Sequence, residues 1–166
     1  YDQRGPGFPR VIGTAPDIGA VEGSSLIVRN TNDSGFGSLR QVVGIAVSED
    51  TVTFDPVVFT TPQTIKLSSG EISIDDSIKI AGPGTSLLTV DGQAASRVLH
   101  VNGSGVLNVT ILGLTITGGK TTNGKTQGST NGDGAGLQIE DEAVTLDDVV
   151  ITGNNSLGEG GGIGVG

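Results

Sequence analysis

Two segments late in the chain repeat earlier segments, and this self-similarity constrains the fold more than any other feature. The segment VTILGLTITGG (109–119) aligns with VTLDDVVITGN (144–154) at an offset of 35 residues. The segment GAGLQI (134–139) resembles GGGIGV (160–165) at an offset of 26 residues. An offset that varies with loop length, on strands that keep their register, is typical of a solenoid with variable loops.

Short aliphatic runs, separated by turn residues, follow one another along most of the chain. Gly accounts for 29 of the 166 residues and aromatic residues for only 3%, which fits tight turns around a narrow aliphatic interior. In a β-solenoid, coils of roughly 20 to 30 residues stack about 4.8 Å apart and place Val, Ile and Leu in interior columns. A β-sandwich would explain the strand spacing but not the recurring ITG. The predicted inward positions are Ile74, Ile80, Val90, Val101, Ile111, Ile116, Ile139, Leu146, Ile151 and Ile163.

One segment, GSLRQVVGIAVSED, has the pattern of a helix. Ser38 is a plausible N-cap, and apolar residues follow at the i, i+3, i+4 and i+7 positions of one helical face. The sequence therefore predicts a short amphipathic helix over about 38–47. A solenoid has two exposed ends, and we expect this helix to cap the first of them. Its predicted apolar stripe consists of Leu39, Val42, Val43 and Ala46.

The composition divides the chain into two parts. Residues 1–23 hold three of the six prolines and little periodicity, which predicts an extended tail or closing segment. Residues 24–166 form the predicted β domain. The last residues, GEGGGIGVG, stand in the middle of a repeat pattern. We therefore expect the repeat to continue beyond residue 166, or another chain to cover its last coil.

The charge balance argues against two classes of partner. The chain has 18 acidic and 9 basic residues, a formal net charge of −9. Nucleic acid and anionic membrane surfaces both require clusters of Lys and Arg, so neither is expected as a partner. No apolar run approaches the roughly 18 residues of a membrane span. The chain contains no Cys, which excludes disulfides and thiolate metal sites.

A combination of motifs resembles a known group of proteins. LIVRNTNDSGFGSLRQVV, DTVTFD, TIKLSSGEISIDDSIKIAGPGTSLLTVDG, LTITGG and VVITGNNS followed by GEGGGI resemble bacterial surface and secreted right-handed parallel β-helix proteins of the pectate-lyase-like and polymorphic-outer-membrane-protein-like kinds, which are often adhesin-like. The resemblance covers about residues 24–166. It implies an all-β, right-handed parallel β-helix and an extracellular or bacterial cell-surface location. It supplies no fixed catalytic set.

The segment GTAPDIGAVE (13–22) resembles the closing motif of the same proteins. In that group the motif follows the helix, whereas here it precedes one. This order leads to the hypothesis that the chain is one unit of a tandem array, or that its subunit is permuted relative to a single β-helix.

Several acidic residues are candidates for carbohydrate chemistry, which parallel β-helices also host. Such chemistry needs clustered carboxylates for Ca²⁺ or for acid and base roles, and adjacent strand residues point to opposite faces. We therefore expect surface and turn roles. His100 is expected to be an exposed strand residue, because no partner for a general base is adjacent to it. The acidic candidates are Asp75, Asp76, Asp91, Glu140, Asp141, Glu142, Asp147 and Asp148, and the basic ones are Lys79, Arg97, Lys120 and Lys125.

Two oxygen-rich loops, NTNDSG (30–35) and NGDGAG (131–136), look like calcium loops. Neither matches the EF-hand spacing or the repeated nonapeptide of calcium-binding β-rolls. Asn, Asp and Gly also close ordinary turns, so no cofactor is expected. Calcium at the Asp33 or Asp133 loop is the alternative.

The sequence therefore predicts a non-enzymatic structural or adhesive protein that assembles end to end, with filaments as one form of the assembly. Its predicted partners are copies of itself or neighbouring repeats, head to tail, and a surface polysaccharide is a further candidate. The alternative is a carbohydrate-active β-helix enzyme or a polysaccharide-binding module. The residues predicted at the assembly interface are Phe8, Val11, Ile12, Ile18, Val21, Gly162, Ile163 and Val165.

Overall fold

A computed structural model of the chain describes residues 26–121 and 133–166. These residues are mostly β-structure with one α-helix, α1 (Leu39–Val43), and a 3₁₀ turn at Val58–Thr60. The predicted tail at 1–23 lies outside the described residues. The strands are β1 (Leu26–Val28), β2 (Thr51–Phe54), β3 (Gln63–Lys66), β4 (Ile72–Ile74), β5 (Lys79–Ala81), β6 (Leu88–Asp91), β7 (Leu99–Val101), β8 (Asn108–Thr117), β9 (Leu137–Ile139), β10 (Ala143–Ile151) and β11 (Ile163–Val165).

Every strand pairing within these ranges is parallel. One sheet has the order β1-β2-β5-β8-β6-β3, with β10 pairing β8 from its other edge. The second sheet has the order β11-β9-β7-β4. Together the parallel sheets form a curled half-barrel.

The strand register confirms both predicted self-alignments. Val144 lies opposite Val109, and Ile151 lies opposite Ile116, which is the offset of 35 residues. Ile163 lies opposite Leu137, which is the offset of 26 residues. Parallel pairing requires a long connection between partners, and here loops of different length supply it without changing the register.

The core consists of aliphatic columns that run across paired strands. In one column Leu26, Val52, Ile80 and Ile111 lie opposite one another in turn, and all are buried. Leu146 continues this column on β10. Complete burial of one such side chain contributes about 1.5–3 kcal/mol, so the columns are the main source of stability.

Seven of the ten predicted inward residues are buried, and three are not. Leu146 and Ile151 are only half-buried, and Ile163 is 39% exposed. All three lie on β10 or β11, which pair with one neighbour each among the described strands. The prediction was wrong for these residues because burial in a stack needs a layer on both sides. The seven buried residues are Ile74, Ile80, Val90, Val101, Ile111, Ile116 and Ile139.

A glycine bends the long strand β8 in its middle. The residues before Gly113 pair with β5, and those after it pair with β6. Gly113 has φ +64°, and a Cβ there would lie 2.6 Å from the carbonyl oxygen of Gly82. Asp148, at the equivalent position of β10, has φ +46°, a left-handed conformation that Asp tolerates better than most residues.

The helix is shorter than predicted and lies against the first strands of both sheets. It spans Leu39–Val43 rather than 38–47, and Gly44 is its C-cap. The Ser38 side chain accepts a hydrogen bond from the Gln41 N–H, as expected of an N-cap. The predicted apolar residues Leu39, Val42, Val43 and Ala46 are all buried, and the helix contacts β1 and β4. Within the described ranges no helix is long and apolar enough to cross a membrane.

Substitution of Gly113 by Ala tests the bend. The variant Gly113→Ala must adopt a positive φ and also displace the Gly82 carbonyl, so we expect it to lose more than about 2 kcal/mol of unfolding free energy. Gly105 has φ +93° but open space around it, so Gly105→Ala should lose only about 1 kcal/mol. Urea denaturation of both variants measures the difference. Equal losses would show that backbone strain alone accounts for the effect.

Candidate functional site

Four ionisable side chains meet on the second sheet. Leu99 and Val101 are buried, so the side chain of His100 between them points away from the core. Its Nδ1 lies 3.2 Å from Glu71 Oε1, and its Nε2 lies 3.0 Å from Glu140 Oε1. The Arg97 Nη1 donates to Glu71 Oε2 at 3.0 Å. We call Glu71, Arg97, His100 and Glu140 the outer cluster.

Arg97 is the anchor of the outer cluster. The residue is only 6% exposed. Its Nε donates to the Gly134 carbonyl at 3.1 Å, and its Nη2 donates to the Asp133 carbonyl at 3.0 Å. A rigid guanidinium presents donors on three separate nitrogens and can serve two consecutive carbonyls and a carboxylate at once, whereas the three donors of an ammonium share one nitrogen. Arg97 thereby joins the segment before β4 to the segment before β9.

Arg40 repeats this arrangement at the start of the fold. Its Nη1 donates to the Glu71 carbonyl at 2.5 Å, and its Nη2 donates to the Gly70 carbonyl at 2.6 Å. The same guanidinium pairs with Asp33 Oδ1 at 2.8 Å. Two arginines therefore tie successive connections of the chain through backbone carbonyls that lie outside the strand ladders. Glu71 is common to both, through its carbonyl for Arg40 and its carboxylate for Arg97.

Asp33 is held by donors at both of its carboxylate oxygens. Oδ1 accepts from Arg40, and Oδ2 accepts from Ser68 at 3.0 Å and from Ser69. Burial alone would raise the pKa of Asp33, but the hydrogen bonds from Ser69, Arg40 and Ser68 outweigh it and lower the pKa to about 2. Within the same loop, the Asn30 side chain accepts from the Asn32 N–H and donates to the Phe36 carbonyl. The NTNDSG loop is thus fixed by contacts within the chain.

The second predicted calcium loop is also hydrogen-bonded. Asp133 is buried, and its Oδ1 accepts from the Glu159 N–H at 2.6 Å. Among residues 26–121 and 133–166, no group of three or more His, Asp and Glu residues is arranged to hold a metal ion. Calcium at Asp33 or Asp133 stays a prediction.

The electrostatics of the outer cluster favour its charged form. The hydrogen bond from His100 lowers the pKa of Glu71 despite partial burial, with help from Arg97. Burial acts to lower the pKa of His100, but the hydrogen bonds to Glu71 and Glu140 outweigh it and raise the pKa. The lowered pKa of Glu71 and the raised pKa of His100 both favour an imidazolium that lies between two carboxylates.

The structure corrects the expectation for His100. Its side chain is 12% exposed and has two carboxylate partners, whereas the sequence predicted an exposed residue without a partner. The partners lie 29 and 40 residues away along the chain, so inspection of adjacent residues could not find them. The sequence carries no signal for Glu71, and it indicates Arg97 only as a candidate base for carbohydrate chemistry. The alternation of Leu99, His100 and Val101 was the one available signal.

The other acidic candidates have separate surroundings. Asp75 accepts from Ser73, Asp76 accepts from Ser48, and Asp91 accepts from the Gln93 N–H. Asp147 and Asp148 are exposed on β10. Their contacts are those of turn and surface residues.

A second candidate surface is formed by the last strands, β10 and β11. Val165 is 73% exposed and Val150 is 44% exposed. Gly162 precedes β11 and is partly exposed. The remaining residues predicted at the assembly interface, Phe8, Val11, Ile12, Ile18 and Val21, lie outside the described residues. We call the exposed side of β10 and β11 the terminal face.

No protein-family model matches the chain, and no curated protein or solved structure matches it either. Relatives therefore assign no role to any residue. Among residues 26–121 and 133–166, the outer cluster and the terminal face are the two places where side-chain chemistry and exposure point to a function.

Replacement of Arg97 by Lys tests its anchoring role. Arg97→Lys keeps the positive charge, but its donors share one nitrogen and do not reproduce the contacts that Nε, Nη1 and Nη2 make, so we expect a loss of about 2–4 kcal/mol of unfolding free energy. Arg29 is exposed, and Arg29→Lys should change stability by less than about 0.5 kcal/mol. Urea unfolding curves compare the two. A near-neutral Arg97→Lys variant would contradict the role of the guanidinium fork.

The low pKa of Asp33 predicts a pH-dependent contribution to stability. An unfolded Asp has a pKa of about 3.9, so the contribution of Asp33 should be complete above about pH 5 and should disappear as pH falls toward about 2. The difference in urea midpoint between the native protein and Asp33→Asn should shrink over that range. Ser69→Ala removes one donor and should move the loss to higher pH. A difference that does not change with pH would refute the prediction.

Proposed function

We propose that the chain is an extracellular structural or adhesive protein, and that its parallel sheets are faces of a right-handed parallel β-helix. The support is the strand register, because Ile72, Leu99, Leu137 and Ile163 lie opposite one another in turn, each on a later pass of the chain. Crossovers between parallel strands of one sheet are right-handed in about 98% of cases. The extracellular or cell-surface setting follows from the resemblance to β-helix surface proteins.

We propose that copies of this protein assemble end to end. The proposal rests on the strand edges and apolar side chains of the terminal face. Strands β10 and β11 each pair with one described strand, so their other edges can accept a further parallel strand. Half-buried aliphatic residues line β10 and would complete their columns on contact. These residues are Val144, Leu146, Val149 and Ile151.

The distribution of exposed apolar side chains supports the same proposal. Among the described residues, the large exposed hydrophobics fall mainly in the first and last segments of the fold. Only Val106 belongs to the middle. The early ones are Phe36, Val47 and Val57, and the late ones are Val150, Leu157, Ile163 and Val165. Apolar surface at two ends suits a head-to-tail contact between copies, and such a contact extends into a filament because it does not close.

The proposed occupant of the terminal face is the N-terminal segment of a second copy, residues 1–22. This segment carries aliphatic and aromatic residues that could complete the exposed columns, including Val11, Ile12, Ile18 and Val21. Main-chain hydrogen bonds would supply affinity, and the side chains would fix the register. A neighbouring repeat of one longer polypeptide would use the same surface in the same way.

Placement of a charge on the terminal face tests the assembly. We expect Val165→Lys to abolish concentration-dependent association in sedimentation velocity and filaments in electron micrographs, because an ammonium in the contact cannot be desolvated cheaply. Val106 is 70% exposed in the connection before β8 and belongs to neither β10 nor β11, so Val106→Lys is the matched control and should assemble normally.

Deletion of residues 1–22 separates the choice of occupant from the assembly itself. If the shortened chain assembles as well as the full chain, the N-terminal segment is not the occupant. If the full chain is monomeric at all concentrations, the assembly proposal is wrong.

A carbohydrate-active enzyme or polysaccharide-binding module is the second candidate. The observation in its favour is that Glu71 and Glu140, each about one-third exposed, flank His100, which could supply acid and base groups. Acidic polysaccharides with and without Ca²⁺ form the test panel. Turnover that is lost in Glu140→Gln would favour this candidate, and loss in Asp147→Ala would move the site to β10. Absence of turnover and binding across the panel would count against it.

A further inference from the structure

The imidazole of His100 faces a carboxylate oxygen with each of its ring nitrogens, at 3.2 Å and 3.0 Å. A carboxylate can only accept a hydrogen bond, and a neutral imidazole has a single N–H. Both contacts can therefore be hydrogen bonds only when His100 carries two protons. After loss of one proton, a ring nitrogen lone pair faces a carboxylate oxygen, and one contact must open or be bridged by another donor.

The three residues belong to three successive passes of the chain through the second sheet. Glu71 immediately precedes β4, His100 is the central residue of β7, and Glu140 immediately follows β9. Backbone pairing already joins these strands. The side-chain contacts add a second tie on the outward side, where Ser73 and Gln138 are the neighbours of His100 in register.

We propose that His100, Glu71 and Glu140 form a proton-dependent clasp that holds the outer side of strands β4, β7 and β9 together and loosens when His100 loses its second proton. The clasp does not depend on assembly or on catalysis. It makes the stability of this side of the fold respond to the pH of the surroundings, in the range where His is the natural switch.

The charged groups around His100 shift its pKa in opposite directions. Glu71 and Glu140 favour the imidazolium, and Arg97 opposes it through its charge. Arg97 also pairs with Glu71, so that carboxylate keeps a cation beside it when His100 is neutral. Asp75, which follows β4, accepts from Ser73. The fully buried Gln138 donates its amide to the Ile139 carbonyl and brings no charge.

The direction of the pH effect follows from the two pKa shifts. The pKa of His100 is raised from about 6.5, so its contribution to stability is complete below that pH and is lost as pH rises through the higher folded value. The pKa of Glu71 is lowered from about 4.5, so its contribution is present above that pH and is lost as pH falls through the lower folded value. The clasp is therefore strongest between about pH 4.5 and 6.5.

Nuclear magnetic resonance of the full chain tests the clasp directly, because His100 is the single His. We expect the imidazole C2 proton of the folded protein to titrate with a midpoint above 6.5, and Glu140→Gln to lower that midpoint. Glu142 is the matched control, since its carboxylate accepts from the Gly103 N–H and not from His100. Glu142→Gln should leave the midpoint unchanged. A wild-type midpoint at or below 6.5 would overturn the proposal without any variant.

Hydrogen exchange tests the mechanical consequence. The protection of the β9 amides is measured in the native protein and in His100→Gln at each pH. The ratio of the two values is used because it cancels the pH dependence of the intrinsic exchange rate. This ratio should fall several-fold, by roughly the factor expected for the loss of one charge-assisted hydrogen bond, between pH 6 and pH 9. A ratio that stays constant would show that the contacts do not hold the strands, and would overturn the proposal. A monomeric but clasped protein would refute the assembly proposal alone.

Discussion

Parallel, in-register pairing of short strands determines which side chains of this chain can share a buried core. Such pairing places side chains of equivalent positions directly over one another, so a column that faces the core must be apolar on every strand. The column from Leu26 through Val52 and Ile80 to Ile111 meets this requirement. It also explains the bend at Gly113, because the strand must turn without leaving the register on either side.

Parallel stacking leaves backbone carbonyls at the connections without partners in the ladders. Two arginines satisfy several of them. Arg40 serves Gly70 and Glu71, and Arg97 serves Asp133 and Gly134, and each also pairs with a carboxylate. These polar contacts therefore help to hold the fold together. The clasp at His100 extends this network of hydrogen bonds to the outward face of β9.

Much of the fold could be predicted from the sequence, because the periodicity of apolar residues is local information. The offset of 35 residues gave the register of β8 and β10, and the apolar pattern around Ser38 gave the helix and its buried face. The predicted end of the helix was wrong because the helix ends before Gly44, whereas the apolar pattern continues beyond it. The predicted burial of Ile163 was wrong. Burial there depends on whether a further layer lies against β11, and the pattern of one strand does not contain that information.

The candidate sites were less predictable, and the reason is the distance along the chain between partners. The sequence alone determined that the chain is rich in parallel-stacking strands, where they turn, and which residues line their columns. Only the tertiary structure brought Glu71, His100 and Glu140 together, since loops of unequal length set which outward residues meet. The outward positions carry no periodic signal of their own. The packing of the interior columns determines which of these outward side chains become neighbours.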